Sequence, residues 1–407
     1  MPVTFTGTLT MWKETHLNEY GLNEYEKYLA IGDRSLVQPQ QTGDWLTGQR
    51  VLVTGGSGCI GAELIRQLRR TQPAQLASYS LDDMPWPWPS GVLFFAGDIR
   101  DTARLEQVMA QGWDVVFHVA AQRSPAAAET SVFYTVSTNV LGAANVFSLA
   151  ERYGVQHLVA ASTGKALRYY SPDVYTATKR CTEWLLSQVD IPYRSAARFT
   201  HVVDNSILLA NMTAAAAAGL PIQLHGEGII FYAQSAKESA QLLIGAGACA
   251  PPGEPVMHAI TDLGDPVSLT DVAHGFAAAH GGGEIKFTGY ERGYEERPFP
   301  GLYDLTTAGD VSPLINGLEA AQVKTPYPNV DAFPLAFPAS DWRRALRRLE
   351  TFPTRISLSA LSWFVMEEAV RTADPALLRR LAAMCDRYPD LPPEHQLMAA
   401  LMRKHAA

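Results

Sequence analysis

Cysteine is scarce. Four occur in 407 residues, at positions 59, 181, 249 and 385, and no two form a C-x-x-C pair. That pattern excludes a disulfide framework and a cysteine-built zinc site, and it suits a reducing compartment, so a cytoplasmic location and no bound metal are expected. Basic charge is short as well: 33 Lys and Arg stand against 41 Asp and Glu, a net charge of −8, which argues against a general nucleic-acid binder. No unbroken run of about 18 apolar residues occurs, so no membrane span is expected. The first residues are polar and acidic without an apolar stretch, so no leader peptide is expected. Hydrophobic content of 47% and charged content of 18% are those of a globular chain with a sizeable core.

Four regions are distinguishable. Residues 1–47 are an extension containing one short helical stretch, 22–29, and a polar linker from Gln38 to Asp44. It is either a packing arm or a substrate lid. Residues 48–210 alternate short apolar runs with helical segments. The runs are 50–54, 75–80, 91–96, 114–119 and 156–162. This alternation predicts an α/β fold, a doubly wound parallel sheet covered by helices on both faces. Residues 211–334 read as a smaller mixed lobe opened by a helix over 211–218, although later segments are free to return to the first domain. Residues 335–407 read as helical. The arginines at 343, 344, 347 and 348 repeat at helical spacing, as a solvated face or an anion site would require.

The chemistry concentrates in three places. Val51-Leu-Val-Thr-Gly55-Gly-Ser-Gly58-Cys59-Ile60-Gly61 joins the first strand to the first helix. Gly55 permits the tight turn, Gly58 lets the backbone approach a pyrophosphate, and Gly61 lets helix and strand pack closely. Cys59 and Ile60 open the helix, whose free N–H groups and positive dipole end face the phosphates. Asp82 lies about 20 residues on, where a carboxylate accepts hydrogen bonds from the adenosine ribose and repels a 2′-phosphate. Leu81 stands beside it rather than a cation, so the expected cofactor is NAD and not NADP. Gly97-Asp98-Ile99 is either a plain turn or a bracket for the adenine edge.

Tyr175 and Lys179 are four apart and share one helix face, and both are expected to contact the cofactor as well as to carry the chemistry. A phenol with a pKa near about 10 is a poor base at neutral pH. A nearby ammonium and the positive nicotinamide favour its phenolate, and a drop of two to three units takes on the order of 3–4 kcal/mol. Thr163, at the end of the fifth strand, would hold the same substrate oxygen by a hydrogen bond.

With these features in place, the chain resembles the extended short-chain dehydrogenase/reductase family. The likeness runs through Thr54–Gly61, Gly97–Asp101, His118-Val-Ala-Ala121, Thr138-Asn-Val-Leu-Gly142, Ser162-Thr163 and Tyr175/Lys179. Within that family it is most similar to the polysaccharide-biosynthesis branch of nucleotide-sugar 4,6-dehydratases and epimerases, over roughly residues 48–305. Ser162-Thr-Gly-Lys-Ala166, Asp262-Leu-Gly-Asp-Pro-Val-Ser268 and Phe287-Thr-Gly-Tyr-Glu-Arg-Gly293 resemble that branch's motifs. The resemblance implies a tightly held NAD(P), transient oxidation of a sugar hydroxyl, and the roles given above to Thr163, Tyr175 and Lys179. It also implies Asp98 and Ile99 as adenine contacts, Ala120 and Ala121 as backbone near the cofactor ribose, Asn139 as a helix-bending or water-ordering residue, and a homodimer through helices of the dinucleotide domain.

Several positions depart from that branch. Gly164 replaces the aspartate that helps expel a hydroxyl as water, and glycine donates no proton. Lys165 follows, either as a salt-bridge partner or as a substitute acid. The segment 221–231 lacks a phosphate-clasping arginine, and Glu291 stands where another arginine is usual, with Arg292 one place on. Losing cations weakens the grip on a diphosphate. His201 and His225 are either structural or partial replacements. The expected activity is therefore NAD-dependent oxidation of a secondary alcohol on a sugar, nucleotide-sugar or nucleoside-like substrate, redox-neutral overall as in an epimerase. The rivals are a 4,6-dehydratase-type lyase with a substitute acid, a simple dehydrogenase, and an NAD-binding scaffold without catalysis.

Overall fold

The computed structural model describes residues 23–38, 42–85, 87–290, 311–387 and 393–406. The apolar runs pair into one nine-stranded sheet. Its strands are β1 (Arg50–Thr54), β2 (Gln75–Ser80), β3 (Val92–Ala96), β4 (Val115–His118), β5 (His157–Thr163), β6 (Tyr193–Phe199), β7 (Val256–Ile260), β8 (Lys324–Tyr327) and β9 (Val330–Pro334). Their order is β3-β2-β1-β4-β5-β6-β7-β9-β8. The first seven run parallel. The last two are antiparallel, β9 against β7 and β8 against β9. The sheet is therefore mixed at one edge, and the five strands expected from sequence lie within one residue of their observed bounds.

The chain walks outward from β1 to β3 and returns on the other side of β1 to form β4, so the order reverses between these two strands. That reversal opens a crevice beyond their C-terminal ends, where open α/β sheets hold ligands. In register, Thr54 stands beside Tyr79 of β2 and His118 of β4, and Thr163 beside Phe199.

Helices follow from capping and patterning. α1 (Glu24–Ile31) starts with a capping box in which Asn23 and Glu26 exchange hydrogen bonds. It packs on α10 (Leu269–Ala279), burying Tyr28 and Ile31 against Met212, Ile222 and Phe276. The described part of the extension is thus a packing arm. α2 (Cys59–Leu68) buries Leu64, Ile65 and Leu68, the stripe its sequence shows. The helix from Val132 to Arg152 is interrupted by a π-helical turn at Ser137–Gly142 that contains Asn139.

That helix qualifies an expectation. It is long and apolar enough to cross a membrane, with mean hydropathy 1.2, because its polar residues are mostly uncharged Thr, Ser and Asn. Its window is 61% buried within the protein, where it packs against the sheet.

Between 211 and 334 the chain divides its packing. α8 (Ile207–Ala217), three short two-stranded pieces and α10 surround the lobe core with Met212 and Phe276, whereas α9 (Ala236–Ala248) and β7 join the core under the main sheet. At the C-terminus, α11 (Trp342–Thr351) buries Trp342, Leu346 and Leu349 and leaves its arginines exposed, a solvated face. α12 (Arg355–Arg371) lies on α7 (Val174–Gln188), with Phe364 edge-on to Trp184 at 5.9 Å. Twelve of the 15 residues of α7 are buried, so α12 of the same chain occupies the outer face of this dinucleotide-domain helix.

Candidate active site

The crevice holds a cavity of about 1250 Å³. Every residue assigned from the sequence to the cofactor or to catalysis lines it: Gly55, Gly58, Cys59, Ile60, Gly61, Asp82, Asp98, Ile99, Ala120, Ala121, Thr163, Tyr175 and Lys179. The far half is lined by residues drawn from the stretch between Phe199 and Phe231, among them His201, Met212 and His225, and by Leu269.

At the first β–α junction, Gly55 has φ +77°, and a Cβ there would lie 2.7 Å from the Ala120 nitrogen. A Cβ on Gly61 would fall on the Gly55 carbonyl, so helix and turn touch through backbone. Gly58 caps α2 without a side chain, leaving the first-turn N–H groups to a ligand. This cradle, which any larger side chain would fill, fits a dinucleotide pyrophosphate.

At the end of β2, Ser57 Oγ donates to Asp82 at 3.2 Å, and the Ser57 amide donates to Ser80 Oγ at 3.1 Å. The exposed carboxylate of Asp82 is thereby aimed along the cavity edge. Asp98 is more heavily engaged. Arg100 binds it through the backbone amide (2.8 Å) and the guanidinium. Burial pushes its carboxyl up, but the Arg100 contacts win and hold it below the usual range. The Tyr79 hydroxyl donates to the Asp98 carbonyl at 2.9 Å.

At the reacting end, the Thr163 side chain is near enough to the Tyr175 hydroxyl to favour its phenolate. Lys179 Nζ donates to the Ala161 carbonyl at 2.6 Å. The direction of the Tyr175 shift differs from the sequence expectation. Burial pushes the phenol up to about 12, and the lowering influences are Thr163 and Arg123, not Lys179. The ammonium is turned to Ala161, so burial prevails at the phenol. Burial likewise pulls Lys179 down to about 8, against the pull of Glu183. His118 donates to or accepts from Thr54 Oγ1 at 2.9 Å and is driven down to about 3 by burial and then by Lys179.

Sequence reasoning missed Arg123. It lines the cavity and lowers both the Tyr175 phenol and the Cys59 thiol, the latter held up at about 11 chiefly by burial. Its signal was its place two residues after Ala121. Asn139 braces that loop: its side chain accepts from the Gln122 amide (2.7 Å) and donates to the Gln122 carbonyl (3.0 Å).

Of the departures, Gly164 is buried, and a Cβ there would stand 2.5 Å from Leu314 Cδ2. Lys165 lines the cavity beside Thr163. His201 is held by the Tyr28 hydroxyl at 2.6 Å, and His225 Nδ1 donates to the Gly289 carbonyl (3.0 Å) while the ring stacks on Tyr290. Both histidines line the cavity. Glu291 and Arg292 lie outside the described residues.

A family model described as polysaccharide biosynthesis protein matches residues 51–297. The capsular polysaccharide biosynthesis protein CapD of Staphylococcus aureus is 26% identical over 275 residues, covering 62% of this chain and 45% of CapD. The chain spans about half the length of the curated relatives it matches first. Among solved structures, Pen from Bacillus thuringiensis aligns with a TM-score of 0.59 and 20% identity, over 73% of this chain and 89% of Pen. The UDP-glucose 4-epimerase of Thermus thermophilus, in complex with NAD, aligns with a TM-score of 0.52 and 23% identity, over 61% of this chain and 89% of the epimerase. These two share its fold. With more than half of its length matched, the chain belongs to the polysaccharide biosynthesis protein family, in the nucleotide-sugar branch of the extended short-chain dehydrogenases/reductases.

Proposed function

We propose that the protein is an NAD-dependent enzyme that oxidises a secondary alcohol of a nucleotide-linked sugar and returns the hydride in place, an epimerase-like, redox-neutral reaction. One observation carries the reading: Thr163, Tyr175 and Lys179 line the same cavity as the Gly55–Gly61 cradle. NAD bound there supplies a hydride acceptor and donor.

The chain's own residues do the rest. The first-turn amides of α2 and Arg123 offer positive ends to the phosphates, and Asp82 receives the adenosine ribose hydroxyls. Thr163 holds the substrate oxygen, and Tyr175 takes its proton. A positive ring close by lowers the phenol from about 12 toward working pH. Once the alcohol is a ketone, the neighbouring C–H is acidified and inversion becomes accessible. Gly164 supplies no carboxylic acid, and Leu314 packs into the space where one would begin, which weighs against the usual 4,6-dehydratase. Lys165 beside Thr163 favours the remaining lyase reading, with its ammonium as proton donor.

Incubation with NAD and UDP-glucose in deuterated water, read by mass spectrometry, separates these. An epimerase leaves the mass of the sugar unchanged apart from any deuterium gained, whereas a lyase removes water. A protein that takes up no NAD would overturn both. Ligands co-purifying with the protein, identified by mass spectrometry, name the sugar.

A further inference from the structure

Two side chains one helical turn apart on α7 grip two successive residues of β5. Lys179 Nζ donates to the carbonyl of Ala161 at 2.6 Å, and Glu183 Oε1 accepts from the hydroxyl of Ser162 at 2.6 Å. The next residue is Thr163. Glu183 is itself pinned. Arg198 reaches both of its oxygens, Nε at 2.9 Å and Nη2 at 2.8 Å, and Arg180 Nη1 lies 3.0 Å from Oε2. Glu319 closes the cluster from the other side, bound by Arg198 at 2.7 Å and Arg180 at 3.0 Å. All four of these charged residues are buried. Two cations and two anions cancel, so the cluster adds no net charge under the site. Its geometry still leaves Glu183 as the anion that faces Lys179 along α7.

We propose that Glu183 is a positioning residue for the reacting group, fixing the Lys179 ammonium and the end of β5 relative to one another through Ala161 and Ser162. The proposal rests on the functional reading above. It assigns a task to Glu319 too: this residue lies beyond the family match, and it holds the arginines that hold Glu183.

Among the described residues, few charged and titratable groups pack against Lys179. Glu183 and Tyr175 come from its own helix, and His118 comes from β4. His118 is kept neutral by burial, with its Nδ1 on Thr54. Glu183 is accordingly the charged group that opposes the burial pulling Lys179 down to about 8. Because the nicotinamide ring of NAD⁺ is positive, its affinity registers the charge on Lys179.

The test follows NAD⁺ dissociation constants from pH 6 to 9.5 by quenching of tryptophan fluorescence. The wild type is expected to show an inflection near pH 8 that K179M abolishes. In E183Q the inflection moves to lower pH by about one unit, because a stabilising anion is gone. In E183D, which keeps the charge, it stays within a few tenths. Should E183Q fail to fold, R180M/E183Q removes one charge of each sign and is expected to show a smaller shift in the same acid direction, because Glu183 is the anion that faces Lys179 along α7. An inflection that survives in K179M, or that E183Q and R180M/E183Q leave unmoved, overturns the proposal. A wild type that binds no NAD at all overturns the functional reading instead.

Discussion

Leu314 stands against Gly164 so closely that the smallest side chain at 164 would meet its Cδ2 at 2.5 Å. Leu314 is fully buried, and its carbonyl accepts from Arg198 at 2.9 Å, so neither partner yields easily. G164D is therefore expected to lower stability by about 1–3 kcal/mol through overpacking, and further through a buried carboxylate. The double variant G164D/L314A should recover part of that loss. Thermal melts of the two variants check the point, and a G164D protein that melts with the wild type would show that position 164 has room.

Removing the Tyr175 hydroxyl should separate chemistry from binding. Y175F is expected to slow turnover by about 10²–10⁴-fold, the usual contribution of a positioned acid or base. Its NAD dissociation constant should stay within about threefold, since no phosphate or ribose contact is assigned to that oxygen. Single-turnover rates and equilibrium titration measure the two separately. An undiminished rate would remove Tyr175 from the mechanism.

Asp82 should decide between dinucleotides. Its carboxylate is presented by Ser57 at 3.2 Å, with exposed Leu81 beside it. D82N is expected to narrow the preference for NAD over NADP by about tenfold, the loss of roughly 1.4 kcal/mol of discrimination. Tighter NADP binding by the wild type would defeat the assignment.

His118 gives a pH dependence of stability with a definite sign. Burial, and then Lys179, hold it near 3 in the folded protein, well below its ordinary value of 6.5. Between those values the unfolded chain binds the extra proton, so stability falls as pH drops from 6.5 toward 3. The loss is of the order of a few kcal/mol when complete. H118N, which keeps a partner for Thr54 Oγ1, should flatten this slope. Urea titrations at pH 7 and pH 5 would show whether it does.

The dinucleotide half was readable in advance because its information is local. Gly55, Gly58 and Gly61 sit within seven residues of one another, Tyr175 and Lys179 within one helical turn, and β1 to β5 are short apolar runs. What escaped is long-range. Arg198 contacts Glu319 across 121 positions, and Asn316 donates to the Leu167 carbonyl across 149. No periodicity announces such pairs. The direction of the Tyr175 shift escaped for a different reason. Spacing put an ammonium on the right helix face, but it carries no information on burial or on the Ala161 carbonyl that takes the ammonium's hydrogen bond.

The α7–α12 contact has a practical corollary. One side of α7 presents Tyr175 and Lys179 to the cavity, and another carries Trp184 against Phe364. The tail of the chain is thus a splint along the back of the reacting helix. Tags, fusions or proteolytic trimming that loosen it are expected to register as lost turnover well before the sheet itself gives way, which makes activity a more sensitive gauge of an intact C-terminus than any melting curve.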